Sequence, residues 1–122
     1  MHAECAGLTY LVSELDGYPM CGVLAGSARF TDHLTLGYRD AVAITDSSVR
    51  VTGERTCGHE FHRTAAVPSR GARPAWRFAS GEIEGHVAGS SVASYLHVHW
   101  AGHPAAAARF AAACGATPEA AR

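Results

Sequence analysis

The chain of 122 residues has no lysine; all ten of its basic residues are arginine. Without an ammonium side chain it holds no Walker A phosphate loop, no pyridoxal Schiff base and no lysine nucleophile, so any ATP chemistry has to lie elsewhere. The excess of arginine and alanine also agrees with a GC-rich coding bias. No C-x-x-C pair links Cys5, Cys21, Cys57 and Cys114, and their wide spacing argues against a disulfide scaffold or a structural zinc site. They are expected to be thiols. No apolar run approaches the roughly 20 residues that a bilayer needs. The opening Met1-His2-Ala3-Glu4-Cys5 has neither the basic flank nor the apolar stretch of a signal peptide, which predicts a cytoplasmic protein. A formal net charge of -1 with scattered charges leaves no basic footprint for nucleic acid and no polybasic arm for a membrane.

What is present suits a single folded unit: 48% of residues are hydrophobic and 17% charged, enough for one core and too little chain for two. Leu8, Leu11, Val12 and Leu15 fall on one helical stripe, predicting a short helix from about Ala6 with Gly17 as its stop. Residues 20–24, 28–31 and 34–45 read as a meander of strands separated by Gly26 and Asp32-His33. Residues 57–66 predict a further strand, 67–74 a loop carrying Arg70 and Arg73, and 76–79 another extended run. A strand over 92–100 and a helix over 105–114 follow, with Pro104 in the helix's first turn and Gly115 beyond its end. Phe110, Ala106, Ala107, Ala113 and Cys114 form its expected packing face, and 116–122 are expected to fray. A helix opening five residues into the chain lacks the upstream strands that normally place it in a sheet, so the start reads as a cut.

Ala3-Glu4-Cys5-Ala6-Gly7 has the form of a nucleophile elbow, a strand-to-helix turn that exposes a reactive side chain at the top of a sheet. There Cys5 would be the nucleophile, its pKa lowered by the helix start. Ala6 would offer its N–H to a developing oxyanion, and Gly7 would leave room for the turn. Of the eight histidines, His97 and His99 alternate along the expected 92–100 strand and are placed to supply a base. His-x-His also suits a metal, with His59, Glu60 or His62 as a third ligand. On a strand, however, His59 and His62 face opposite sides, and H-E-x-H is not the zinc spacing H-E-x-x-H. A non-catalytic or metal-binding β-rich domain using His97 and His99 is therefore the alternative reading, as is an inactive remnant of an enzyme.

Glu4-Cys5-Ala6-Gly7-Leu8-Thr9-Tyr10-Leu11 resembles the elbow E-C-G-G-L-x-Y-L of the glutamine amidotransferase domain of cobyrinic acid a,c-diamide synthases. Similar stretches follow in order: Asp16-Gly17-Tyr18-Pro19-Met20, Thr31-Asp32, Leu34-Thr35-Leu36-Gly37-Tyr38-Arg39, Gly58-His59-Glu60-Phe61-His62 and Ser94-Tyr95-Leu96-His97-Val98-His99-Trp100. The related cobyric acid synthases carry G-Y-E-I-H and T-Y-L-H-G at two of these places, so the a,c-diamide type fits better.

The resemblance implies an α/β fold: an incomplete class I, flavodoxin-like amidotransferase domain with a strand-rich middle, an elbow helix and a C-terminal helix. Residues 1–115 would form its C-terminal part. It implies Cys5 as nucleophile and His97 as general base and acid, with glutamine hydrolysed through a glutamyl thioester. The position two after His97, often an orienting glutamate, holds His99, which leaves a dyad unless Glu60 orients the histidine. Ala6, Gly7, Glu60 and His62 are candidate oxyanion or substrate residues, and no metal or cofactor is expected in this chain.

Ala6 stands where glycine is usual, which matters only if that residue has a positive φ. Val92 stands near a frequent histidine. The family's N-terminal ATP-dependent ligase domain and a glycine-rich loop completing the oxyanion hole have no counterpart here. ATP and Mg2+ would belong to that ligase domain, which would bind cobyrinic or hydrogenobyrinic acid and form the acyl phosphate that takes up ammonia. The implied enzyme is an ATP-dependent carbon–nitrogen ligase with glutamine as amido donor, acting in cobalamin biosynthesis. The isolated chain is expected to be weak or inactive.

Overall fold

The computed structural model describes residues 1–115; the tail expected over 116–122 lies outside them. A three-stranded sheet has the order β1 (His2–Glu4), β9 (Ser91–Ser94), β8 (His86–Ala88), with β1 and β9 parallel and β8 antiparallel. The second sheet is built on β4 (Ser27–Ala43), which pairs along most of its length with β5 (Arg55–Val67). Its other edge carries β2 (Glu14–Leu15) and β3 (Tyr18–Pro19) near one end, and β6 (Trp76–Phe78) with β7 (Ile83–Glu84) near the other. The strand-rich mixed α/β arrangement, with a helix α1 (Ala6–Leu11) after β1 and a helix α2 (Pro104–Ala113) near the end, is the class expected from the sequence.

Two apolar clusters hold these parts together. Leu8, Leu11 and Val12 of the predicted stripe pack with Ala3, Leu24, Ala28, Ala66, Ala93 and Tyr95, and Leu15 joins them from β2. The second cluster gathers Trp76, Phe78, Val87, Val92, Leu96 and Ala106. Neighbouring β9 residues thus enter different cores: Val92 one, Ala93 the other. The small sheet is the wall between them.

Several expectations are corrected. The helix ends at Leu11, and Gly17 is not its stop: Asp16 and Gly17, at φ 49° and 80°, form the two-residue turn joining β2 to β3. Residues 20–24 are no strand. Their backbone closes the end of α1, with Cys21, Gly22 and Leu24 N–H donating to the carbonyls of Tyr10, Val12 and Leu11. The break at Asp32-His33 falls inside the single strand β4, where the register shifts between Phe30 and Thr35 as a bulge.

The strand expected over 92–100 stops at Ser94. In α2 the buried face is Ala106 with half-buried Arg109 and Phe110, while Ala107, Ala113 and Cys114 are exposed. The cause is a long-range pair: Arg109 makes bidentate hydrogen bonds to Glu54 and so fixes which side of the helix docks. No helix among the described residues is long and apolar enough to cross a membrane.

Leu8 is fully buried and anchors the elbow helix. Leu8→Ala is expected to destabilise the fold by about 2–5 kcal/mol, seen as a lower urea midpoint. Ala107→Ser, on the exposed face of α2, should stay within about 0.5 kcal/mol; comparable losses for both would contradict this packing.

Candidate active site

Strand β1 delivers Cys5 to the edge of the small sheet, where its N–H donates to Ser94 O at 2.9 Å. The backbone then turns sharply: Cys5 has φ 51° and ψ -108°, a conformation that costs a non-glycine residue on the order of 1–3 kcal/mol. The positive φ falls on Cys5 and not on Ala6, so alanine after the nucleophile position carries no strain. The bend brings the first turn of α1 down on β1, and a Cβ on Gly7 would lie 3.1 Å from that of Ala3. Small residues on both sides of the cysteine are what allow it.

The sulfur is half-buried, 3.7 Å from the Phe61 carbonyl. Burial pushes the Cys5 thiol above its ordinary value; the Ala6 N–H works against this, and the charge of Glu4 adds to it. The expected lowering by the helix start is therefore reversed. A six-residue helix does not offset partial desolvation beside a carboxylate.

His97 is held from both sides. After Ser94 the chain leaves the ladder, and four successive N–H groups find other acceptors. Tyr95 N–H donates to Glu84 Oε1 at 2.7 Å and Leu96 N–H to Ser94 Oγ at 2.9 Å. His97 N–H donates to His59 O at 2.8 Å and Val98 N–H to Glu4 Oε1 at 3.2 Å. His59 N–H donates back to His97 O, and the two imidazoles stack with centroids 4.6 Å apart.

His97 Nδ1 lies 3.1 Å from His59 O. A carbonyl only accepts, so this contact selects the Nδ1–H tautomer and leaves the Nε2 lone pair free to act as a base. The orienting group is thus a backbone oxygen. His99 is exposed and does not orient His97, and Glu60 is occupied elsewhere. Cys5 and His97 sit at the same end of the β1–β9 pair, with no hydrogen bond between them among the described residues.

Glu60 and His62 share the inner face of β5 with Arg39 of β4. Arg39 Nε donates to Glu60 Oε2 at 2.7 Å, and His62 Nε2 lies 3.3 Å from Glu60 Oε1. Burial pushes the Glu60 carboxyl up, but the His62 hydrogen bond and the Arg39 charge outweigh it and hold the group below its ordinary value. These residues line a cleft of about 480 Å3 with Glu84 and Tyr95; Tyr95 stacks on His62, and its buried hydroxyl has no hydrogen-bond partner among the described residues. Phe61, whose carbonyl faces the sulfur, lies between Glu60 and His62 in the chain.

A larger cleft of about 620 Å3 lies near Cys57 and His103, where Thr56 Oγ1 and His103 Nε2 meet at 2.7 Å. His59 is exposed on the opposite face from His62, and among the described residues no three histidine, cysteine or acidic side chains come together as metal ligands.

Glu84 was not legible as a site residue. It is 2% exposed, accepts from Ser94 Oγ and Tyr95 N–H at 2.7 Å each, and burial pushes its carboxyl up to about 7. In the sequence it is one acid in a Gly-Glu-Ile-Glu-Gly loop, and only the pairing of β7 with β6 swings it inward.

A family model of the CobB/CobQ-like glutamine amidotransferase domain matches residues 1–105. The hydrogenobyrinate a,c-diamide synthase of Mycobacterium tuberculosis (strain ATCC 25618 / H37Rv) is 58% identical over 98% of this chain, covering 27% of that protein. The enzyme of the same name from Streptomyces coelicolor is 57% identical over 92% of this chain and 24% of its own length. The cobyrinate a,c-diamide synthase of Gloeobacter violaceus is 40% identical over 93% of this chain and 26% of its own length. The chain thus spans about a quarter of the curated relatives it matches.

Two pH effects are expected. Iodoacetamide alkylation of Cys5, followed by peptide mass spectrometry, should keep accelerating beyond about pH 9, because a raised thiol ionises late; a plateau near neutrality would contradict the burial argument. For Glu84, the folded chain keeps a proton between its ordinary 4.5 and about 7 that the unfolded chain releases. Its contribution to stability is therefore full below the lower value and lost as pH rises through the upper one. Glu84→Gln should leave stability near pH 4 little changed and raise it near pH 8 by up to about 3 kcal/mol. Equal urea midpoints for the two proteins at pH 8 would contradict it.

Proposed function

The chain belongs to the CobB/CobQ-like glutamine amidotransferase domain family, and on that premise we propose that it carries the glutamine-hydrolysing thiol of a corrin-amidating synthase. Residues 1–115 would be the C-terminal part of the amidotransferase domain. One observation carries the reading: a cysteine in strained elbow geometry and a histidine with a fixed tautomer lie at the same end of one parallel strand pair.

In this reading His97 Nε2 takes the Cys5 thiol proton as the sulfur attacks the glutamine side-chain amide carbon. The tetrahedral oxyanion meets the Ala6 N–H at the head of α1, where Gly7 keeps the approach open. Collapse breaks the C–N bond, and His97 returns the proton to the departing nitrogen, releasing ammonia. Water then cleaves the thioester to glutamate, regenerating Cys5. The cleft of Arg39, Glu60 and His62 offers charges of both signs for the amino-acid end of glutamine.

The relatives' names, a,c-diamide synthases, support the wider proposal that ammonia from this site would amidate the a and c carboxylates of cobyrinic or hydrogenobyrinic acid; an ATP-dependent ligation is part of the same proposal. In the same reading ATP and Mg2+ are not assigned to this chain. Lysine is absent, and among the described residues no ligand cluster of three forms. Those groups would be held by other parts of such an enzyme, and a cytoplasmic setting is part of the same proposal.

The isolated chain should be a poor glutaminase. Without a Cys5–His97 hydrogen bond, the roughly 10²- to 10⁴-fold contribution of a general base is not engaged. Glutamate release should therefore fall at least about 10²-fold below that of an intact amidotransferase, and the residue should vanish in Cys5→Ala. Full turnover by the isolated chain would contradict this. A chloroketone analogue of glutamine should alkylate Cys5 in preference to Cys21, Cys57 and Cys114; labelling without that preference would sink the amidotransferase reading.

A further inference from the structure

Glu84 sits on neither the elbow nor the segment that carries His97, yet it touches the residues that join them. Its two oxygens take the Ser94 hydroxyl and the Tyr95 N–H, each at 2.7 Å. Ser94 in turn gives its carbonyl to Cys5 N–H and its Oγ to Leu96 N–H. One carboxylate therefore touches the residue that anchors Cys5 and, through Tyr95, stands two residues from His97. It also ends β9, because the Tyr95 N–H that would extend the ladder points into the carboxylate.

The backbone around Glu84 leaves no slack. Gly85, at φ 85°, lies so close that an added Cβ would stand 2.9 Å from Ala75 Cβ and 3.1 Å from Ala93 O. Charged and titratable groups around the same cleft are His33, Arg39, Glu60, His62, Glu82 and Tyr95, and none of them is hydrogen-bonded through its side chain to Glu84 among the described residues.

We propose that Glu84 is a positioning residue for the Cys5–His97 pair, its carboxylate setting the turn at Ser94–Leu96 from which both the nucleophile and the base are placed. This rests on the amidotransferase reading of those two residues. Glu84 touches neither of them and takes no proton in the reaction. Length and hydrogen-bonding capacity are what the role requires: glutamine in its place accepts from Tyr95 N–H and donates to Ser94 Oγ, whereas aspartate is one methylene too short to reach.

The test compares labelling of Cys5 by the glutamine chloroketone with its labelling by iodoacetamide, in the wild-type chain and in Glu84→Gln, Glu84→Asp and Glu84→Ala. The ratio of the two rates removes changes in thiol exposure and ionisation. Glu84→Ala and Glu84→Asp should lower the ratio about 10- to 100-fold, while Glu84→Gln stays within about threefold of wild type. If Glu84→Ala does not fold, aspartate against glutamine decides the matter. Equal ratios in wild type, Glu84→Gln and Glu84→Asp would overturn the positioning role alone. A wild-type chain whose Cys5 shows no preference for the glutamine analogue would overturn the amidotransferase reading and this inference with it.

Discussion

The candidate base is placed by four backbone N–H groups in a row. From Tyr95 to Val98 the chain has left the sheet, and each donor would be stranded if nothing met it; a buried unmet donor costs about 1–3 kcal/mol. Glu84, Ser94, His59 and Glu4 supply the four acceptors, and they come from four different strands, β7, β9, β5 and β1. Glu4 directly precedes Cys5, so one of the groups that fixes the histidine segment is attached to the cysteine. The candidate nucleophile and base are thereby tied through backbone and carboxylate contacts, with no hydrogen bond between them among the described residues.

The same contacts explain the role of Gly58. A Cβ there would collide with the carbonyl of His97 and with Leu96, so the close approach of β5 to the histidine segment requires a residue without a side chain. His59 and His97 can then exchange both backbone hydrogen bonds, and the His59 carbonyl is left to select the tautomer of the ring. A backbone acceptor does for His97 what a third side chain does in a triad.

What the sequence made legible was local. The stripe of Leu8, Leu11 and Val12 states its own burial period, and small residues around Cys5 predict a tight turn because steric room depends on near neighbours. The alternation that put His59 and His62 on opposite faces held for the same reason. What was hidden is long-range. Strand β9 ends at Ser94 because a carboxylate ten residues earlier captures the next N–H, a fact no window over 92–100 contains. Residues 20–24 are apolar enough for a strand, but α1 leaves free carbonyls that their backbone satisfies first. The docking face of α2 follows from Glu54, about half the chain away.

Two buried carboxylates near the site meet opposite fates, and the difference separates charge from geometry. Glu60 has a guanidinium and an imidazole beside it, which keep it ionised despite burial. Glu84 has only neutral donors and feels the charges of Glu60 and Glu82, so burial prevails and it stands near 7. A group that loses its charge so readily is poorly suited to holding a cation or stabilising developing charge. Its short bonds to Ser94 and Tyr95 suit it instead to fixing backbone direction. Glu60, with its permanent charge and its place in the cleft, is the carboxylate suited to meet a polar ligand. The division follows from which neighbours each acid has, and the thiol, beside Glu4, has no cation among the described residues that lowers its pKa. On that electrostatic ground the elbow presents the sulfur, and in the proposed reaction its activation would have to come from His97.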